Sequence, residues 1–540
     1  MKHSLVKLLA LLGLATTMLH APRARCDGWS LVADGAPVYG VLRWGALLST
    51  VQKAGWTQLP EYEEFKRTAG NVDIFNPQIY APLGIDINAP IVAMAEGGPM
   101  LHVRLVGRIT DKGLFVTILS GVAEDKTSGI TLQGSGTPAG KAGVVASGKV
   151  GSWSGILRIE GDQAVLDVVT GALAKATPAA ALAQKYPLKP AKAFGTSGGA
   201  GSRSMLGGER IAALFVDGKR LGALAPLWGQ LLPPSSKALP LAKCQQEVAK
   251  LPVTFDDAAL SLSVSDNKTP ELELVWGAAA GSPLKFEPID DGVVSAARLR
   301  RESVAHLGVF GANVQPFRSL KTTGLPALDK LDKLVDQCPT TVGPALLIRT
   351  WPHLIAAGLA QLDKNPQDLG PAAGVVSAVN QLRSLFFALK NVPDAQNPPT
   401  WVAVVSASGQ FQSVVEGLLG IFGLTGTPRA VGTHKVTFFD GSSMQGQLKF
   451  VAAIESLANT AIGLTAAASE DALRWAYGVD GQKSTRGTGV PLATAHMDGT
   501  LLQSFNKNAE DQKYLRSIKR LSAELRADEL FHAVLRVQFN

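Results

Sequence analysis

Ser197 sits in Gly195-Thr-Ser197-Gly-Gly199, which matches the G-x-S-x-G pattern of acyl-transfer enzymes. That pattern works when the serine crowns a sharp strand-to-helix turn and a neighbouring backbone N–H helps to form an oxyanion hole. Neither flank supplies the setting: Lys189-Pro190-Ala-Lys-Ala-Phe194 is no buried strand, and Gly199-Ala-Gly-Ser202 is no helix start. Ser197 is therefore read as part of a flexible connection, and no catalytic residue is assigned. A hydrolase using Ser197, or an acid/His pair such as Asp498 with His496, stands as an alternative.

Other catalytic patterns dissolve on context. Ser265-Asp266-Asn267-Lys268 contains both the S-x-x-K and S-D-N fragments of penicillin-recognising enzymes. A nucleophile and its base come from separate elements that converge in space, so four overlapping residues describe a hairpin turn instead. Gly134-Ser-Gly-Thr-Pro-Ala-Gly140-Lys141 has Ser135 where a phosphate-binding loop needs its first glycine and Ala142 where it needs a Mg²⁺-binding hydroxyl. The eight histidines stand alone, at no ligand spacing. Asp256-Asp257 and Asp290-Asp291 read as turn residues outside any calcium-loop pattern. Neither a metal nor another cofactor is expected.

Three cysteines occur, Cys26, Cys244 and Cys338. In an oxidising compartment the last two are expected to pair. Cys26 follows Arg25, where a lipoprotein signal prefers a small residue, so a lipid anchor at Cys26 is the lesser alternative. Gly417, Gly420, Gly423 and Gly426 recur every three residues. They mark either a close-packing helix face for a partner helix or an apolar ligand, or a buried helix that frays before Pro428.

Composition and the first residues bound where such a protein works. Met1, Lys2, His3 and Lys7 precede an apolar run from Leu8 to Leu19, the layout of a secretory signal. The run is too short to cross a bilayer, which takes about 20 apolar residues. Residues 1–25 are accordingly expected to be a signal peptide cleaved near Ala21 or Ala24, placing the protein in the periplasm or at the cell surface. Later apolar stretches at 411–426 and 451–468 are interrupted by Glu416, Glu455 and Asn459, so no transmembrane helix is expected after cleavage. Residues 1–25 hold four of the 52 basic residues and no acidic one, which leaves 48 against 44, a net +4. The basic run Arg298, Arg300, Arg301 ends at once on Glu302, so nucleic-acid binding is excluded.

The elements around these residues read as α+β: repeated strand–turn–helix units packed on antiparallel sheets, in two or more domains joined by a Gly/Ser/Pro linker. Strands leading into helices are expected at 38–43 into 44–53, 211–217 into 220–231 and 306–310 into 314–320. The same pattern is expected at 345–349 into 354–362, 401–405 into 411–422 and 492–496 into 500–506. Hairpins are expected at 259–276 and 436–452, with further strands at 114–120, 164–169 and 531–539. The expected divisions are an N-terminal domain at 26–185, a linker at 186–208, and a repeat region at 209–290 and 291–540. The expected function is a non-enzymatic scaffold or binding protein of the envelope, its partner an envelope protein. A carrier of an apolar ligand such as lipid is the first alternative.

Overall fold

The computed structural model describes residues 28–539 apart from a set of short segments, the longest being 133–143, 171–178, 226–237, 285–295, 365–381 and 478–491. Residues 1–27, with Cys26, and 195–200, with Ser197, lie outside the described residues. The chain divides into two compact units. Unit 1 holds residues 1–279 and 324–350, and unit 2 holds 280–323 and 351–540.

Unit 1 contains strands β1 (Val38–Leu42), β2 (Ile91–Glu96), β3 (Leu101–Arg108), β4 (Ile130–Leu132), β5 (Val144–Val150), β6 (Trp153–Glu160), β7 (Gln163–Thr170), β8 (Ala212–Asp217), β9 (Phe255–Ser265) and β10 (Thr269–Ala278). They form one antiparallel sheet in the order 4-5-6-7-3-2-1-8-9-10. Unit 2 contains β11 (Ala305–Val309), β12 (Leu382–Leu389), β13 (Trp401–Ser408), β14 (Thr427–Val431), β15 (His434–Asp440), β16 (Val451–Glu455), β17 (Asn459–Thr465), β18 (Ala493–Asp498), β19 (Ile518–Ala527) and β20 (Phe531–Phe539). Their order is 14-15-16-17-13-12-11-18-19-20, again antiparallel throughout. The two sheets thus follow one strand order, strand for strand.

Directly paired residues in an antiparallel sheet project to the same side, so the register sorts each sheet into two faces. In unit 1 one row runs Leu157–Leu166–Leu105–Ala93–Gly40–Leu214–Leu260–Leu274 across eight strands. In unit 2 the matching row runs Phe439–Ala452 and, beyond β17, Ala403–Phe387–Leu307–Ala495–Ala523–Leu535. No polar residue interrupts either row. We call the side bearing these rows face A and the opposite side face B.

Helices cover parts of both faces. In unit 1, α1 (Trp44–Lys53) and α2 (Lys112–Glu124) pack Trp44, Leu48, Phe115 and Leu119 against Ile159 and Ala164 on face A. The short helix α3 (Ala179–Lys185) places Leu182 and Ala183 on Ile156 and Val169 of face B. Helices α4 (Leu241–Lys250) and α5 (Leu328–Gln337) are joined by the Cys244–Cys338 disulfide, with an S–S distance of 2.04 Å across a separation of 94 residues. Closing a loop of that length contributes roughly 4–5 kcal/mol through the unfolded state in the chain-entropy treatment. The bond fastens 324–350 into unit 1, although unit 2 sequence lies on both sides of that segment. In unit 2, α6 (Trp351–Lys364) follows at once. Then α7 (Phe411–Ile421) sets Val415 and Leu419 against Val405, Phe439 and Ala452 of face A, and α8 (Glu470–Tyr477) sets Leu473, Trp475 and Tyr477 against Val402, Val451 and Ala453 of face B.

The α+β expectation, helices on antiparallel sheets, holds. Two expected strands are helical instead. Residues 114–120 lie inside α2, whose first turn is fixed by Asp111, its carboxylate accepting from the Leu114 N–H at 2.9 Å. Residues 345–349 lie in the helical stretch Val342–Ala345 and Leu346–Thr350. Short apolar runs carry no period that tells a strand from a buried helix, and tertiary packing decides. Asp256 and Asp257 belong to β9 rather than to a turn. The described part of 186–208 is packed onto unit 1: Phe194 is buried, its ring 4.6 Å from Trp29 and 4.3 Å from Tyr39, and Ser202, Met205 and Leu206 are buried in a 3-10 turn. The described residues on both sides of 195–200 group with unit 1, whose chain segments are 1–279 and 324–350.

Candidate functional site

Several strands of unit 2 carry their polarity inside out. In β11, His306 is 7% exposed while its neighbour Leu307 is 54% exposed. In β12, Ser384, Phe386 and Ala388 are buried on face B, and Leu385 and Phe387 are the exposed members. In β18, His496 is buried beside Ala495. An ordinary half-buried strand does the reverse, and an exposed contiguous apolar patch marks a site of interaction.

The local cause is the uneven cover on face A. Helix α7 lies over the portion built by β13, β15 and β16, and the portion built by β11, β12, β18, β19 and β20 contains a cavity of about 360 Å³. Leu307, Phe387, Met497, Leu521, Ala523 and Leu535 line it from face A. Such a volume falls in the range of small-ligand sites. Its floor is a fully paired sheet, so the backbone offers a ligand no hydrogen bonds there. Arg520, Glu524, Arg526 and Arg536 of β19 and β20 alternate onto face B, where Arg520 pairs with Asp498 at 2.8 Å and Glu524 with Arg526 and Arg536 at 2.7 and 3.1 Å. The trough can therefore recognise hydrocarbon and little else.

Beneath the trough, on face B, His306 and His496 are register partners whose rings meet edge-on at 4.2 Å. Burial pulls His306 down to about 3, helped by the charges of His496, Arg300 and Arg520. Burial likewise lowers His496. His496 donates from Nε2 to the Ser303 carbonyl at 2.9 Å, while Asp498 stands 4.0 Å from Nε2 and is held by Arg520. Asp498 and His496, the acid/His pair of the hydrolase alternative, thus each have a nearer partner, Arg520 and the Ser303 carbonyl.

Unit 1 keeps its charge on face B. His102, Arg104, Arg158 and Asp167 are all nearly fully buried. Asp167 Oδ1 accepts from Arg104 Nε at 2.6 Å and lies 2.8 Å from His102 Nε2, and its other oxygen is bound by Arg158. Glu96 holds His102 Nδ1 at 2.8 Å. Arg104 and Arg158 also donate to the Leu31, Tyr186 and Ala183 carbonyls, while the buried Nε of Arg158 has no partner among the described residues. Burial pulls His102 down, but its bonds to Asp167 and Glu96 outweigh this and leave it above its ordinary value. Asp167, pushed up by burial, is brought below its ordinary value by His102, Arg104 and Arg158. Every member serves another member, which is the pattern of a structural network.

A second cavity in unit 1, of about 380 Å³, is polar. Its charges pair across it: Arg203 with Asp34 at 3.3 Å, Lys219 with Asp256 at 2.9 Å and Arg220 with Asp217 at 3.5 Å. Burial raises Asp257, and the nearby Asp217 and Asp256 add to this against the Ser202 hydroxyl, which lowers it. Among the described residues no group of three His, Cys, Asp or Glu is placed to hold a metal ion.

The glycines singled out from the sequence lie in and just after α7, the helix over β13, β15 and β16, with a different role. A Cβ at Gly417 or Gly420 meets nothing within 4 Å, so α7 has no close-packed small-residue stripe. Gly423 takes φ +74° and ends the helix. Its N–H donates to Gly420 O and the Leu424 N–H to Leu419 O, closing a Schellman cap with Leu424 and Leu419 in one apolar cluster. Gly426 is tight against Thr437 and Phe439. The trough itself was missed in the sequence. The signal that could have found it is the exposed-type alternation of β11 and β12, where histidine and serine alternate with leucine and phenylalanine, but alternation does not say which side is covered.

No family model and no curated protein matches the chain. Two solved structures align with part of it, titled as crystal forms III and I of TP0453. They are 10% and 9% identical, cover 48% and 47% of this chain and 81% and 80% of theirs, and reach TM-scores of 0.24 and 0.23. Likeness at that level carries no argument about function.

Proposed function

We propose that the protein is a carrier of an apolar ligand, and that unit 2 holds the acyl chain of a lipid in the trough over β11, β12, β18, β19 and β20. The observation that carries this is the inverted polarity of those strands: Leu307 and Phe387 face outward into an apolar cavity while His306 and Ser384 are buried. A hydrocarbon chain asks for no hydrogen bond, and the trough offers none. Each methylene taken from water contributes roughly 0.8 kcal/mol, so affinity should climb with chain length until the trough is filled. Export supports the same reading. The basic and then apolar layout of residues 1–25, together with the Cys244–Cys338 disulfide, fits an oxidising compartment.

The test is displacement of a dansyl-labelled fatty acid from the full-length protein by saturated fatty acids of increasing length. Affinity should rise along the series, and Leu307→Asp should weaken it at least tenfold with an unchanged far-UV CD spectrum. Absence of any fatty-acid binding, or equal binding by Leu307→Asp, would overturn the reading. An envelope scaffold would announce itself by the first of these results, with a protein partner released by the same substitution.

A further inference from the structure

The strand order of unit 1 repeats in unit 2, and the likeness extends below topology. Each sheet has a helix after its third strand lying on face A, α2 and α7, and one after its seventh lying on face B, α3 and α8. The eighth strands, Ala212-Ala-Leu-Phe-Val-Asp217-Gly218 and Ala493-Thr-Ala-His-Met-Asp498-Gly499, end on the same dipeptide. In each, a Cβ on that glycine would collide with a carbonyl oxygen at the ninth strand, 2.2 Å from Asp256 O and 1.8 Å from Ile518 O. Glycine is therefore required at both places by the same close approach. Where the first and eighth strands pair, Gly40 meets Leu214 in one unit and Leu307 meets Ala495 in the other, a large residue and a small one exchanged across the same row.

Polarity is inverted at the same edge. In β9, Ser261 is 2% exposed and its neighbour Leu260 is 38% exposed. Leu214 and Leu272 are exposed with it on face A, and β9 and β10 send Ser261, Ser263, Glu271 and Glu273 to face B. Arg210 meets two of these, Ser261 at 3.0 Å and Glu273 at 3.1 Å. This surface is the register counterpart of the trough, without a charged group on it.

We infer that the chain is an internal duplication and that unit 1 carries a second acyl-chain site over β1, β8, β9 and β10, so that one chain holds two acyl chains. The inference rests on the acyl-carrier reading of unit 2 and adds a site and a stoichiometry to it. Unit 1 contributes Leu214, Leu260, Leu272 and Leu274; unit 2 contributes Leu307, Phe387, Met497 and Leu535. Both sites ask for the same uncharged ligand because neither presents a charge to it.

Native mass spectrometry of the full-length protein with oleate reads the stoichiometry directly. Two oleates per chain are expected, falling to one in Leu260→Asp, to one in Leu307→Asp, and to none in the double variant. Because these leucines are solvent-exposed, folding should survive, and Leu214→Gln provides a milder second variant in unit 1. A single oleate in the wild-type chain, lost in Leu307→Asp and kept in Leu260→Asp and Leu214→Gln, would overturn the second site and leave the unit 2 reading standing. No oleate at all would overturn both.

Discussion

The two units share a strand order and differ in what their sheets bury. One residue beyond the apolar row, unit 1 places Arg104, Arg158 and Asp167 on face B, where they form an ionic network with His102. At the steps of Arg104 and Arg158 unit 2 has Val402 and Ala453, packed with Trp475 and Tyr477 of α8. The same scaffold therefore tolerates either an ionic network or apolar packing at these positions. A second difference sits at the eighth and ninth strands, where Asp217 faces Asp257 in unit 1 and Asp498 faces Arg520 in unit 2. What the units keep in common is face A, with its unbroken apolar row. Interiors can be re-solved in many ways at similar cost, whereas a surface that takes a ligand is tied to that ligand's chemistry.

The largest test of this contrast is Asp167→Asn. Removing the charge leaves Arg104 and Arg158 buried without their counter-ion, which costs about 3–5 kcal/mol. The unit 1 transition should fall or disappear in differential scanning calorimetry while the unit 2 transition stays. A drop in both would mean that the units melt as one.

Titration sharpens the comparison further. In unit 1, His102 is raised on folding, so its contribution is full below about pH 6.5 and is lost as pH rises through its folded value. Asp167 and Glu96 are lowered, so theirs is present above about pH 4 and is lost in stronger acid. In unit 2, His306 and His496 are lowered, and the unfolded chain takes up their protons first, so stability falls as pH drops below about 6.5. Moving from pH 7.5 to 5 should leave unit 1 as stable or more so and weaken unit 2, as read by hydrogen exchange of β7 against β18. Parallel loss in both units would break the assignment of the two histidine environments.

The smallest effect concerns the acidic pair. Asp257→Asn relieves repulsion from Asp217 and Asp256 and should stabilise unit 1, whereas Arg520→Gln removes the partner of Asp498 and should weaken unit 2. Each change is expected at roughly 0.5–1 kcal/mol, because these groups are partly exposed and screened. Chemical denaturation midpoints of opposite sign would establish that one position carries opposite electrostatics in the two units.

Legibility of these features in the sequence was uneven. The hairpin of β9 and β10 was visible because alternation and a polar turn are local signals, and Cys244 with Cys338 because only two cysteines remained once Cys26 was set aside. The helix at 112–124 was not, since its apolar run has no clear period and its cap, Asp111, gives only a weak signal. The ionic network could not be read at all. Arg104, Arg158 and Asp167 lie on three strands, and nothing in their sequence separation announces that register sets them side by side.

By itself the sequence determined the α+β class and the disulfide pair, because propensity and turn chemistry act over a few neighbouring residues and two cysteines leave one pairing. The common strand order, the apolar rows and the exposed trough were decided by tertiary structure alone. Which side of a strand is covered depends on where distant helices such as α2 and α7 come to rest, and that is a property of the packed chain.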